Sequence, residues 1–294
     1  MKYIFAVVLL ITWTALKAEP LKLRLYADTN NTKTADADTV IRKQSATIGV
    51  SYGSDLQFFG RTGPVTYPFA SADAIYNFKN GVFLYGSGVK VLGYDPFVAE
   101  IDLGGGYVYN ISKKWTGSAS YTRFLFNKDA AQVIKSASAN DLNLNNSYNW
   151  NFAKSGIILD YLFGKASDAF VTINTSKYFE SKFSIFDDKD YMTFTPAIAA
   201  IFGTQNFVQR YADDHEYQED VNNLFYSNPN VHNMAHNNGL FKLLDYNIKL
   251  PIAYNRPHYT FEFSYKYSIP LNVEGLLMNH RESFYNLTFY YVFF

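Results

Sequence analysis

The feature that most constrains this chain is strict two-residue alternation over long stretches. Tyr259, Phe261, Phe263, Tyr265, Tyr267 and Ile269 alternate with Thr260, Glu262, Ser264, Lys266 and Ser268. Successive strand side chains point to opposite faces, so this stretch forms a ribbon with one aromatic, apolar face and one polar, charged face. The preceding stretch does the same, with Leu244, Tyr246, Ile248 and Leu250 set against Asp245, Asn247 and Lys249. Tyr254-Asn255-Arg256-Pro257 between them reads as a tight turn. A turn centred on Asn255 and Arg256 places Lys249 opposite Glu262 and Asp245 opposite Lys266, which joins unlike charges on the polar face.

Further alternating segments predict strands over Ala46–Tyr52, Tyr67–Phe78, Val82–Leu92, Val98–Asn110, Trp115–Phe126, Tyr148–Phe163, Ala169–Phe179, Tyr191–Phe202 and Phe284–Phe294. Leu21–Tyr26 is a weaker twelfth. No segment after the N-terminus reaches 18 apolar residues, so membrane-spanning helices are not expected. The apolar face is unusually aromatic, with 26 Phe, 25 Tyr and 3 Trp in 294 residues, and this favours lipid over a soluble core as its neighbour. In hydrocarbon every backbone N–H and C=O needs a protein partner, and a closed barrel leaves no unpaired edge. The expected fold is therefore all-β: a transmembrane, antiparallel, up-and-down β-barrel of about 12 strands, an even number as in bacterial outer-membrane barrels.

The N-terminus reads as an export signal. Met1-Lys2-Tyr3 precedes the apolar run Ile4–Ile11, and Ala15 and Ala18 follow. Residues 1–18 are the expected leader, and 19–294 the barrel, with a long connection over about 206–240. Short connections should lie on the periplasmic side. Lys79-Asn80-Gly81, Ser112-Lys113-Lys114 and Gly164-Lys165-Ala166 share one parity in this strand list, whereas Asn255-Arg256 has the other. Either one strand is miscounted between residues 180 and 240, or some extracellular loops are short.

Lys plus Arg and Asp plus Glu each number 26, which excludes a basic nucleic-acid binder. The absence of cysteine excludes thiol catalysis and Cys-ligated metals. No cofactor is implied, and outer-membrane lipid is the expected surrounding. Charge facing lipid is costly, so Lys90, Glu100, Asp102, Asp160 and Lys177 are expected to join Asp245, Lys249, Glu262 and Lys266 on the lumen face. As a mixed-sign set of near-equal charge they either line a selective pore or form paired charges that fill a narrow lumen. Asp213, Asp214 and His215, with His232 and His236 downstream, have the chemistry of divalent-cation ligands, although a solvated loop is the simpler reading. A lipid hydrolase would need a Ser–His pair. His258 and His280, with Ser283, are the candidates, and none sits in a recognisable nucleophile motif. Gly104-Gly105-Gly106 falls inside a strand, where it admits bending or an aromatic neighbour packed over it.

Several motifs also carry a resemblance. They are Asp55-Leu56-Gln57-Phe58-Phe59-Gly60-Arg61-Thr62, Thr195-Pro196-Ala197 leading to Phe202-Gly203-Thr204-Gln205-Asn206, Leu244 through Ile252, and Tyr267-Ser268-Ile269-Pro270-Leu271-Asn272. Together they resemble an uncharacterised outer-membrane β-barrel family of the Bacteroidota type, from residue 46 to the C-terminus. The resemblance implies a barrel of unassigned activity, with no established catalytic or binding residues to transfer. The connection after Asn206 is acidic and Asn-rich here, where members of that family often carry a basic insert. The aromatic-rich last segment ending at Phe294 resembles the signal by which barrel-insertion machinery recognises its clients. Three functions are open on the sequence: passage of small solutes through a narrow polar lumen, an accessory barrel that binds another envelope component through its loops, and a lipid-modifying enzyme. A TonB-dependent transporter is excluded by the low strand count and the lack of room for a plug domain.

Overall fold

The computed structural model describes residues 44–57, 59–60, 66–127, 138–206, 240–272 and 281–294. The expected leader, the segment Leu21–Tyr26, the connection over 207–239 with its Asp213, Asp214, His215, His232 and His236, and His280 all lie outside the described residues.

The chain forms one closed antiparallel barrel. Its strands are β1 (Ser45–Gly53), β2 (Phe69–Asn77), β3 (Val82–Val91), β4 (Glu100–Asn110), β5 (Trp115–Phe126), β6 (Ser138–Asn149), β7 (Lys154–Gly164) and β8 (Asp168–Ser176). They continue with β9 (Phe179–Glu180), β10 (Tyr191–Phe194), β11 (Ala197–Gly203), β12 (Lys242–Asn255), β13 (Tyr259–Pro270) and β14 (Glu282–Phe293). Consecutive strands pair from β1 to β8 and from β12 to β14, and β14 pairs back onto β1 through contacts such as Ala46 opposite Phe293. β10 and β11 both pair with β12 and are two halves of one wall strand, interrupted at Thr195-Pro196 because proline cannot donate to the ladder. The ring closes between this strand and β8, where the Lys177 N–H donates to Pro196 O (3.1 Å) and the Thr204 N–H to Ala169 O (3.0 Å). β9 is a short ribbon on β10. The wall therefore has twelve strands.

Among the described residues the twelfth wall strand is β6, which the sequence reading does not separate from the strand after it. Its sequence, SANDLNLNNSYN, reads as a loop because Asn and Asp are depleted in strands and common in turns. Only Leu142, Leu144 and Tyr148 supply its apolar outer face. What reads as one strand over Tyr148–Phe163 is the end of β6, a four-residue turn and β7. This settles the parity conflict. Turns 78–81, 111–114, 150–153 and 256–258 all lie at the end where β1 starts and β14 finishes, and the short connection 165–167 lies at the other end among the long loops. By the topology of bacterial barrels the first end is periplasmic and the second extracellular.

The outer face is apolar, as the alternation requires. Ile48, Val50 and Tyr52 on β1, Leu142 and Leu144 on β6, and Phe261 and Phe263 on β13 are all exposed. The last strand, aromatic on both faces in sequence, turns Tyr285, Leu287 and Phe293 outward and buries Phe284. No helix among the described residues is long and apolar enough to span a membrane; the strands do so.

The β12–β13 register differs from expectation. Lys249 lies opposite Lys266, Asp245 opposite Pro270, and Glu262 opposite Ala253. The turn is formed around residues 256–258 rather than on Asn255 and Arg256, with the Arg256 N–H donating to Tyr259 O at 2.8 Å. The slip moves each partner by four residues, an even number, so every residue keeps its face. A second departure concerns Leu244. The β11–β12 ladder pairs Ile201 with Asp245 and Phe202 with Leu243, which leaves Leu244 as a bulge. The bulge turns its side chain from the lipid face into the interior, where it is fully buried.

Candidate functional site: an acid-lined lumen with a crossing segment

The inner face of the wall is strongly asymmetric in charge. From β2 to β8 it presents Asp73, Glu100, Asp102, Asp141, Asp160 and Asp168, all buried except the half-buried Glu100. Among the described residues of these strands, the one cationic side chain of inward parity is the exposed Lys154 at the periplasmic rim. Several of these acids are held by neighbours. Ser87 Oγ donates to Asp102 Oδ2 (2.8 Å), Asn143 Nδ2 to Asp160 Oδ1 (2.6 Å), and Thr204 Oγ1 and the Asn206 N–H to Asp168 Oδ1 (both 2.7 Å). Phe83 and Tyr85 on β3 lie over Gly106 and Gly104, where a Cβ would come within 2.7 and 2.4 Å of their rings. The glycine run thus makes room for aromatic side chains inside the barrel.

The opposite wall, β12 and β13, carries Lys249 and Lys266, with Lys242 at its extracellular end opposite Gly203. Lys249 Nζ is 3.9 Å from Glu262 Oε1, a diagonal pair across the ladder and not the directly opposed pair that the sequence register gives. Lys266 Nζ donates to Gln57 Oε1 and lies 5.6 Å above the Phe284 ring. Asp245 is fully buried and accepts from Ser268 Oγ and Asn247 Nδ2, both at 2.5 Å. Among the described residues the inner face therefore carries a clear excess of acids, whereas near-equal signs were expected.

Two expected lumen residues face elsewhere. Lys90 shares the outward parity of exposed Leu84 and reaches the β3–β4 turn, where its Nζ donates to Tyr94 O and Pro96 O (3.2 Å to the latter). Lys177 lies just past the end of β8, exposed, with Nζ 5.1 Å above the Phe179 ring. Both sit at strand ends, where a long cationic chain reaches the interface and avoids the hydrocarbon cost that had argued for an inward position. Glu100, Asp102, Asp160, Asp245, Lys249, Glu262 and Lys266 are on the inner face. Asp73, Asp141 and Asp168 were not anticipated. The outer face of β2 is Ala70, Ala72, Ala74 and Tyr76, and with Phe69 and Ile75 on the other parity the apolar residues do not reveal which parity faces in.

Nothing in the sequence announced the most consequential element, the connection after β1, which folds inward from the extracellular end. It is anchored where it starts: Asp55 Oδ1 accepts from the Tyr67 N–H (2.6 Å), the Leu56 N–H donates to Tyr67 O (3.1 Å), and Leu56 packs on Tyr67, Val91 and Ala99. It then crosses to the far wall. Phe59 stacks on Phe170 of β8 with ring centroids 3.5 Å apart, inside a cluster with Leu162, Ala199, Ile201 and bulged Leu244. Gly60 adopts φ +81° above Asp245, and its carbonyl accepts from Ser268 Oγ at 3.0 Å. Burial pushes the Asp55 carboxyl up to about 7; the Tyr67 N–H opposes this and the charge of Glu282 adds to it.

Of the residues considered for hydrolysis, His258 and Ser283 do not meet, and His280 lies outside the described residues. His258 is at the periplasmic end, 6.1 Å from the Tyr291 ring, whereas Ser283 is near the extracellular end and pairs with the Tyr265 hydroxyl at 3.0 Å.

No family model matches the chain, and no curated protein matches it. Among solved structures it is similar to the KdgM porin, with TM-score 0.48, 9% identity, and 84% of this chain and 99% of that one covered. The NanC porin aligns with TM-score 0.47, 11% identity, and 83% and 98% coverage. LpxR from Salmonella typhimurium aligns with TM-score 0.45, 7% identity, and 84% and 100% coverage. Superpositions this loose do not transfer activity. The closed twelve-strand wall with its aromatic, apolar outer face makes the chain an integral outer-membrane β-barrel.

Proposed function

We propose that this barrel is a porin-like channel for small solutes that favours cations and neutral molecules and is narrowed at its extracellular mouth by the segment around Phe59. The carrying observation is the wall of buried acids on β2 to β8 that faces Lys249 and Lys266 across one lumen. Acids concentrated on a low-dielectric wall raise the local cation concentration, and lysines on the facing wall set a transverse field that orients dipolar solutes. The second reading, an accessory barrel with an occluded lumen, is favoured by the Phe59–Phe170 stack. The strand ending at Phe294 acts in this proposal as the recognition element for the insertion machinery, and the family resemblance from residue 46 onward is taken as kinship. Single-channel recording of refolded protein in a planar bilayer tests the function. A cation-selective conductance whose reversal potential moves with Lys249→Glu and Glu262→Lys supports the channel. A folded barrel that stays electrically silent, even after Phe59→Ala, overturns it in favour of the accessory reading.

A further inference from the structure

The outer wall carries a second site, unrelated to the lumen. A groove of about 670 Å³ runs along the lipid-facing side of β4 to β8. Outward positions on a membrane barrel are ordinarily filled by large apolar side chains, but here Gly105 and Ala119, on the adjacent strands β4 and β5, are small, as is Ala169 at the far side of the groove on β8. Tyr121, Leu142 and Tyr161 stand at its extracellular half. The volume falls within the roughly 300–1,000 Å³ of ordinary small-molecule sites, and its lining is almost wholly apolar.

At the extracellular lip of this groove sits a cation. The ladders place Gly105, Tyr121, Leu142 and Tyr161 in one row and Leu103, Arg123, Asn140 and Phe163 in the next row outward. Arg123 shares the outward parity of Tyr121 and is exposed. Among the described residues its guanidinium makes one hydrogen bond, Nη1 to Asn140 Oδ1 at 2.8 Å, and the Tyr121 hydroxyl donates to the same oxygen at 2.7 Å. Asn140 thus orients Arg123 while leaving most of its donors facing the membrane. Among the described strand residues, Lys90 and Arg123 alone place charge on the outer face; both are cationic and both lie toward the extracellular end. Lys90 is occupied by the carbonyls of Tyr94 and Pro96.

We infer that this groove binds one outer-leaflet lipid, its acyl chains lying over Gly105 and Ala119 beside Tyr121 and Leu142 and a headgroup phosphate held by Arg123. Guanidinium and phosphate form a bidentate, charge-assisted pair, which is strengthened at a partly dehydrated interface. Near the interface an outward Arg is tolerated at little cost, so a single phosphate contact is enough to make the position favourable. The extracellular leaflet is the one within reach, because Arg123 lies three residues from the extracellular end of β5.

The test is native mass spectrometry of the delipidated full-length barrel in detergent, offered lipid A or chemically dephosphorylated lipid A, with heat-modifiable gel migration as the check of folding. The wild type should retain lipid A about tenfold better than the dephosphorylated form, the equivalent of one good charge-assisted contact. Arg123→Gln should remove that preference, and Arg123→Lys should restore part of it. Ala119→Leu, which fills the floor and leaves Arg123 in place, should weaken both lipids equally. Equal retention of the two lipids by the wild type overturns the inference, as does a preference that survives in Arg123→Gln. Displacement of lipid A by inorganic phosphate alone would overturn it too, since it would mark an anion site without the groove. Should Arg123→Gln fail to fold, the lysine and leucine variants decide.

Discussion

Phe59 and Phe170 are stacked face to face, 7° from parallel, although one lies on the connection after the first strand and the other on the eighth strand, on the far side of the ring. The stack pins a polar, glycine-containing segment across the extracellular mouth of the lumen. Phe59→Ala removes the ring and its burial, a loss of about 3–5 kcal/mol in a well-packed site. The strand ladders do not depend on it. Single-channel conductance should rise while the circular dichroism of the barrel stays unchanged.

Gly60 offers an independent way to release the same segment. A Cβ there would lie 2.4–2.5 Å from the Asp245 side chain, and φ +81° disfavours any other residue. Gly60→Val should therefore unseat the segment, with about 1–3 kcal/mol from the backbone conformation alone. Limited proteolysis should show cleavage near residue 60 in the variant and not in the wild type.

The Asp55 carboxyl makes seating depend on pH. Its pKa when seated is about 7, above the ordinary 3.8, because burial disfavours the charge. Below 3.8 both seated and released forms are protonated, and seating is strongest. Between 3.8 and about 7 the released form ionises first, so seating weakens as pH rises. Above about 7 both are ionised and the effect levels off. Conductance should increase from pH 5 to pH 8, and Asp55→Asn, which keeps an acceptor for the Tyr67 N–H, should flatten the profile.

Charge substitutions on the two walls should act in opposite senses on selectivity. Lys249→Glu adds to the acid excess and should shift the reversal potential further toward the cation value. Asp102→Asn, isosteric and still able to bond Ser87, should shift it back. Bi-ionic or salt-gradient recordings read both.

The assignment of β6 as a wall strand predicts a strong asymmetry between adjacent positions. Leu144→Arg puts a charge on the lipid face and should cost about 2–4 kcal/mol toward the midplane. Asn145→Asp, on the lumen side, should cost little. Denaturant titration of refolding in lipid vesicles compares the two.

Alternation alone determined the barrel, its lipid-facing side and the inward direction of Asp245, Lys249, Glu262 and Lys266, because strand parity is a local property wherever the ladder is unbroken. It failed where local signals were weak or strand ends intervened. β6 was hidden by its asparagines, Lys90 and Lys177 escape the hydrocarbon at strand ends, and the Leu244 bulge reverses one side chain. The register of β12 on β13 slipped by four residues without altering a face, because parity survives any even slip. Which acids share one wall, and that the connection after β1 returns through the lumen to stack Phe59 on Phe170, were decided only by the tertiary structure. Those relationships depend on how twelve strands close into a ring, and closure brings together residues whose separation in the chain carries no periodic trace.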